Sequence, residues 1–121
     1  MWYVDLPNPH DLSGPWINIA AYPTAAEAIA YGKLALAGDD DGKIGTISKV
    51  EGEGYLVDLP NPHEPEGSWI FIESFERKRE AVSFMKDLGG DKNGDLIVVS
   101  HEADEKAKSR KRWDPGLEEG A

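Results

Sequence analysis

The chain contains no cysteine, and none of its apolar runs approaches the roughly 20 residues that a membrane-spanning helix needs. Without cysteine, disulfide bonds, thiolate metal ligands and thiol nucleophiles are all excluded. The first residues, Met-Trp-Tyr-Val-Asp-Leu-Pro, have neither the basic start nor the apolar core of a secretory signal. These absences predict a cytoplasmic protein that does not enter a membrane.

The sequence motifs of the common enzyme classes are absent as well. There is no phosphate-binding Gly-Lys-Ser/Thr loop, no dinucleotide-binding glycine pattern, no Gly-x-Ser-x-Gly turn and no His-Glu-x-x-His helix. The few serine and threonine residues are not visibly combined with a histidine and an orienting acid. No cofactor is predicted from these patterns, and a non-enzymatic protein is favoured over an enzyme.

Basic residues are scarce: 13 lysine and arginine residues stand against 23 aspartate and glutamate residues, and the net charge is −10. This charge argues against nonspecific binding to nucleic acids or anionic membranes. Positive charge is concentrated in the segment 106–112, which Trp113 follows. Such a segment can contact a nucleic acid, but acidic residues around it favour a solvated helix with ion pairs such as Glu102–Lys106. A nucleic acid is therefore the least favoured partner.

The heptapeptide Val-Asp-Leu-Pro-Asn-Pro-His occurs twice without change, at residues 4–10 and 57–63. When residue i is compared with residue i+53, further identities follow up to Lys33/Lys86. Beyond Ala37, where the second copy is one residue shorter, the identities continue between residues i and i+52. These further pairs are Gly14/Gly67, Trp16/Trp69, Ile17/Ile70, Ile19/Ile72, Glu27/Glu80, Ala28/Ala81, Lys33/Lys86, Gly38/Gly90, Asp39/Asp91, Gly42/Gly94 and Ser48/Ser100. Identities over this length predict a tandem duplication of a unit of about fifty residues.

The two repeats, residues 1–50 and 54–100, are expected to pack into one globular domain, because a unit of about fifty residues buries little surface alone. Residues 101–121 are a charged C-terminal tail, expected to be a short helix or disordered. Alternating or β-branched stretches predict three strands in each repeat. They are 2–6, 16–22 and 43–50 in the first repeat and 55–59, 69–75 and 95–100 in the second.

One helix is predicted between the second and third strand of each repeat. Thr24 and Glu27 have the spacing of a capping box, so the first helix should begin there. Gly38 and the pair Gly89-Gly90 suit left-handed helix ends. The expected apolar faces are Ala25, Ala28, Ile29, Gly32 and Leu36 in the first helix, and Ala81, Val82, Met85 and Leu88 in the second.

The predicted fold class is α+β. Two strand–strand–helix–strand units would form one domain with a pseudo-twofold axis, in which a mixed sheet carries both helices. A right-handed crossover is expected within each unit if its strands are parallel neighbours. Pairing of the first loop and hairpin of each unit across the two copies is the alternative.

The loop Pro-Asn-Pro-His-(Asp/Glu)-x-x-Gly-x-Trp is the leading candidate binding site, because both repeats contain it. The candidate binding residues are His10, Asp11, Trp16, His63, Glu64 and Trp69. The competing interpretation is structural: asparagine between two prolines makes a rigid turn, and the tryptophans are core anchors.

Two possible metal sites are the alternatives to a loop binding site that holds no cofactor. If the loops meet, His10, His63 and the adjacent carboxylates could bind zinc or transfer a proton. The turns that follow the helices resemble fragments of a calcium loop, but both lack its first ligand and its closing glutamate. Their oxygen-bearing residues are Asp39, Asp41, Asp91 and Asn93. Ordinary helix-to-strand turns explain these residues better.

The favoured function is that of a small non-enzymatic binding or regulatory protein. It would contact a protein partner, or a second copy of itself, through the duplicated loops or the groove between the repeats. The alternative is a metal-binding protein or hydrolase-like enzyme that uses His10, His63 and the adjacent carboxylates. A nucleic-acid accessory protein acting through the basic tail is the third interpretation.

Overall fold

The computed structural model describes residues 1–101 and 112–113, which form an α+β fold with two helices and several antiparallel sheets. The elements in chain order are β1 (Trp2–Leu6), β2 (Trp16–Tyr22), α1 (Ala25–Leu36), β3 (Lys43–Ile44), β4 (Ile47–Val50), β5 (Gly54–Leu59), β6 (Ile70–Phe75), α2 (Lys78–Asp87), β7 (Leu96–Ile97), β8 (Val99–His101) and β9 (Arg112–Trp113). Neither helix is long and apolar enough to cross a membrane, within the described residues.

The single mixed sheet predicted above is wrong, because the described part of the chain forms three sheets instead. Their strand orders are β8-β1-β2-β9, β3-β7 and β4-β5-β6, and all neighbours are antiparallel except β9, which runs parallel to β2. The physical reason is that each predicted third strand is broken in two. At the breaks, the carbonyls of Thr46 and Val98 accept backbone N–H groups from Asp58 and Asp5 (3.0 and 2.9 Å). The fragments on either side of each break therefore pair with different strands.

Strands do pair across the two halves of the chain, but the first hairpins, β1–β2 and β5–β6, lie in different sheets and do not pair with each other. β8 pairs with β1, and β4 pairs with β5, so a strand from each half lies beside the first strand of the other. The parallel crossover does not form, since β2 and β3 belong to different sheets. The hairpins β1–β2 and β5–β6 have corresponding registers, with shifts at Val4/Asp5 and Val57/Asp58. The duplication itself and a twofold axis stay predictions.

The core lies between the sheets and the two helices. Leu6 and Leu59 are fully buried, each directly before a Pro-Asn-Pro-His loop. The other buried core side chains include Val4, Ala28, Leu36, Ile44, Val57, Ala81, Met85, Leu96 and Val98. Burial of a leucine or methionine side chain contributes roughly 1.5–3 kcal/mol each. These contacts hold the starts of both loops in place.

Helix α1 begins as the capping box predicts. The Oγ1 atom of Thr24 accepts the backbone N–H of Glu27 at 3.3 Å. The apolar face is correct at Ala28, Gly32 and Leu36. The left-handed residue that ends the helix is Ala37 (φ 55°, ψ 35°), one position before the predicted Gly38, and Ala37 donates its N–H to the Gly32 carbonyl. In α2 the predicted left-handed residue is correct, since Gly89 has a φ of 101°.

Replacement of Ala37 by glycine is expected to raise the free energy of unfolding by about 0.5–1 kcal/mol, because glycine adopts this conformation without the Cβ clash that alanine suffers. Urea denaturation followed by circular dichroism measures the effect. Ala30→Gly, on the exposed face of the same helix, is the matched control and should lower stability by about 0.5–1 kcal/mol. A loss of stability in both variants would contradict the strain at Ala37.

The predicted charged tail, residues 101–121, falls mostly on residues 102–111 and 114–121, which lie outside the described residues. Between these two ranges, Arg112–Trp113 form the short strand β9. β9 pairs with the beginning of β2, with Trp16 opposite Arg112 and Ile17 opposite Trp113.

Candidate functional site

The two Pro-Asn-Pro-His loops share one hydrogen-bond pattern. The side-chain Oδ1 of Asn8 accepts the backbone N–H of His10 (2.9 Å), and Asn61 does the same for His63 (3.0 Å). Two backbone turns follow in each loop, closed by the bonds Asp11 N–Asn8 O, Gly14 N–Asp11 O, Glu64 N–Asn61 O and Gly67 N–Glu64 O. The asparagine turn of the structural interpretation is therefore present in both loops.

Proline explains why these loops leave the strands. Pro7 and Pro60 directly follow β1 and β5 and cannot donate a ladder hydrogen bond, so pairing stops there. Both prolines are fully buried. The asparagine side chain then satisfies a backbone N–H that a strand partner would otherwise take. Each histidine is consequently presented on a stiff turn, with its side chain exposed.

The loops meet at a cavity of about 320 Å³ lined by Asn8, Pro15, Ile17 and His63. Three of these residues come from the first loop and the start of β2, and His63 comes from the second loop. Proline and isoleucine provide apolar walls, while the amide and the imidazole can donate or accept hydrogen bonds. The arrangement suits a small, mostly apolar group that carries a polar atom.

Each loop is close to the helix of the other half of the chain. Trp16, at the end of the first loop, is 7% exposed, and a Cβ atom on Gly89 beyond α2 would lie 3.5 Å from its ring. Glu66, in the second loop, is close enough to Tyr31 of α1 to affect that phenol. Burial raises the pKa of Tyr31, and the charges of Tyr22 and Glu66 raise it further.

The structure places the six predicted binding residues differently. His63 lines the cavity. His10, Asp11 and Glu64 are exposed side chains outside its lining, and the Asp11 carboxylate accepts a hydrogen bond from the Ser13 hydroxyl (3.1 Å). The tryptophans pack against the core, where Trp16 is buried and Trp69 is partly buried.

The acidic turns after the helices use their carboxylates to order the backbone. Asp39 Oδ1 accepts the N–H groups of Asp41 and Lys43 (2.9 and 3.0 Å). Asp91 Oδ1 accepts those of Asn93 and Asp95 at the same distances. These bonds fit the helix-to-strand turns that the sequence favours.

One ion pair joins the two acidic turns. The Lys43 ammonium donates to Asp91 Oδ2 at 3.0 Å, and this contact raises the pKa of Lys43. Burial acts to raise the pKa of Asp91, but Lys43 and the two backbone N–H groups outweigh it, and the pKa is lowered. Asp95 is different: burial, and then the charge of Asp91, raise its pKa. The pKa of Asp91 is therefore lowered, while that of Asp95, four residues later, is raised.

Among residues 1–101 and 112–113, no group of three or more histidine, aspartate or glutamate side chains is arranged to hold a metal ion. The zinc prediction for His10 and His63 and the weaker calcium prediction stay predictions.

Asn8, Pro15 and Ile17 line the cavity but were not among the predicted binding residues. Sequence reasoning assigned Asn8 and Ile17 only structural roles, in the turn and in β2. Their second role depends on the meeting of two loops about fifty residues apart in the chain. The repetition of the loop was the only signal that pointed to this region.

No protein-family model, curated protein or solved structure matches the chain.

Proposed function

We propose that this protein is a non-enzymatic binding module that holds a protein partner at the cavity between its two Pro-Asn-Pro-His loops. The observation that carries the proposal is the common lining of that cavity by Asn8, Pro15 and Ile17 from one loop region and His63 from the other. Both loops are stiff, so little conformational entropy is lost when a partner binds.

The size of the cavity favours one side chain of a protein over a free small molecule. Pockets for small molecules span roughly 300–1,000 Å³, and about 320 Å³ lies at the lower limit of that range. A cavity of this size accepts an anchoring side chain, while the exposed loop surfaces around it contact the rest of the partner. The His63 imidazole at the wall can pair with a polar atom of that anchor.

A different protein is favoured over a second copy of the chain. A twofold dimer needs a self-complementary patch. The cavity is concave, and it takes unequal contributions from the two loops. We propose that it arose when a tandem duplication placed two copies of one loop side by side. The cytoplasmic location stays a prediction.

Selection of a random phage-displayed peptide library on the full chain tests this function. Selected peptides are expected to bind wild-type protein and to lose about tenfold in affinity or more, or about 1.4 kcal/mol, in the His63→Ala variant. His10→Ala is the matched control, because His10 has the same asparagine bond and exposure but does not line the cavity. Its affinity should stay within about twofold of wild type. Fluorescence anisotropy with labelled peptides measures both.

Two results would reject the proposal. One is an equal loss of affinity in both histidine variants, which would indicate a general surface contact. The other is a library that yields no His63-dependent peptide while sedimentation shows a dimer that His63→Ala dissociates. That second result would assign the loops to self-association.

A further inference from the structure

The outer edge of β2 carries a short extra strand. Residues 112–113 of β9 pair with it in parallel, opposite Trp16 and Ile17. The same dipeptide, Trp-Ile, recurs at residues 69–70, where β6 begins. Among the described residues, β6 ends its sheet with β5 as its only neighbour. The edge of β6 in the second hairpin therefore corresponds to the edge of β2 that β9 occupies in the first hairpin.

Burial differs at the two edges. Trp16 and Ile17, beside β9, are 7% and 8% exposed. Trp69 and Ile70 are only partly buried. Unpaired strand edges offer N–H and C=O groups that can hydrogen-bond an added strand. The start of β6 thus keeps both apolar surface and an edge that a strand can extend.

An exposed apolar surface adjoins this edge. Phe71 of β6 is 56% exposed, although phenylalanine is among the residues most often buried. It lines a groove of about 410 Å³ together with Glu53, Leu56 and Ser74. The groove offers an aromatic ring and a leucine for packing, with a carboxylate at its boundary.

We propose that the edge of β6 binds an extended, basic segment with an aromatic residue, supplied by a partner protein, as a parallel strand. The aromatic side chain would pack beside Phe71, and main-chain hydrogen bonds to β6 would fix its direction. This mode is strand addition to an open sheet edge, in which the main chain supplies affinity and side-chain pockets supply specificity.

The chemistry of the bound strand follows from β9 and from charge. β9 has the sequence Arg-Trp, at the end of the basic segment 106–112. Acidic side chains lie at the groove and along β6, where Glu53 lines the groove and Glu73 is exposed, whereas the exposed residues 77–79 beyond the end of the strand are basic. A basic segment therefore meets complementary charge at the groove and along β6 but not beyond the end of the strand, in a chain whose net charge is −10.

We propose another protein as the donor. The first half of the chain is followed by the short acidic link Glu-Gly-Glu (51–53), so it carries no counterpart of the basic segment. The one Arg-Trp segment is already paired with β2. A second copy of the chain could supply its own segment only by giving up that pairing.

A fluorescein-labelled peptide with the sequence of residues 106–113 (Lys-Ala-Lys-Ser-Arg-Lys-Arg-Trp) tests the proposal on the full chain. Fluorescence anisotropy should show saturable binding that Phe71→Ser weakens about tenfold or more. A ¹⁵N–¹H correlation spectrum should show shifts concentrated in residues 69–75. The same peptide with alanine in place of tryptophan should bind at least about tenfold more weakly.

Leu34→Ser is the matched control, because Leu34 is an exposed apolar residue on α1, away from β6. It should leave the affinity unchanged. Absence of binding overturns the proposal, as does equal binding by the two peptides. Shifts concentrated in residues 16–22 also overturn it, because the peptide would then be displacing β9. Since the proposed edge is separate from the loop cavity, His63→Ala should have no effect here.

Discussion

Replacement of Gly54 by alanine is expected to lower the free energy of unfolding by about 3 kcal/mol, from left-handed strain and overpacking together. Gly54 begins β5 with a φ of +86°. A Cβ atom there would overlap the backbone carbonyl oxygen of Phe75 at the end of β6. That oxygen belongs to a paired strand and cannot rotate away as a side chain could. Relief of the overlap would require displacing one strand of the β5–β6 hairpin.

Gly52→Ala separates the two causes. Gly52 lies in the same turn region and has nearly the same backbone angle (φ +84°), but a Cβ atom there meets nothing within 4 Å. The free energy of unfolding of Gly52→Ala should therefore fall only by the cost of the left-handed conformation, about 1 kcal/mol. Urea denaturation of wild type and both variants measures the difference. Equal losses in the two variants would show that the overlap with Phe75 is absent.

The elements of this fold could be predicted from the sequence, but their arrangement could not. Hydrophobic alternation located β1 and β2 at the residues where the structure has them, and capping chemistry located the start of α1. These features depend on neighbours in the sequence. The sheet assignment depends on the breaks near Thr46 and Val98, where backbone groups bond to the other half of the chain. Gly45 interrupts the first of these segments, but no glycine or proline marks the break at Val98.

In the candidate site, too, the local features could be predicted from the sequence, and the contacts between distant segments could not. Repetition of the loop identified the region, and the local turn chemistry of Asn8 and Asn61 was evident from the flanking prolines. The cavity itself required the two loops to come together in space. Sequence reasoning treated His10 and His63 as equivalent, yet only His63 lines the cavity. This difference makes the two histidines a useful matched pair of variants.

Leu6→Ala is expected to destabilise the protein by about 2–5 kcal/mol, because it removes three buried carbons and leaves a cavity that the surroundings fill only in part. Leu6 is fully buried at the end of β1 and belongs to the core cluster. For a domain of this size, each kcal/mol shifts the melting temperature by about 4–8 °C. Differential scanning calorimetry should therefore show a drop of at least about 8 °C.

The same substitution should also affect the binding cavity, because Leu6 stands opposite Ile17 across β1 and β2 and directly precedes the first loop. Ile17 is a wall of the cavity. We expect Leu6→Ala to shift the amide resonances of Ile17 and Asn8 even at temperatures where the variant is fully folded. Leu34→Ala is the control: this leucine is 85% exposed on α1, and its loss should change stability by less than about 0.5 kcal/mol. A Leu6→Ala cost below about 1 kcal/mol would mean that the side chain is not in a close-packed core. In that case the loops would lack the rigid support on which low-entropy binding at the cavity depends.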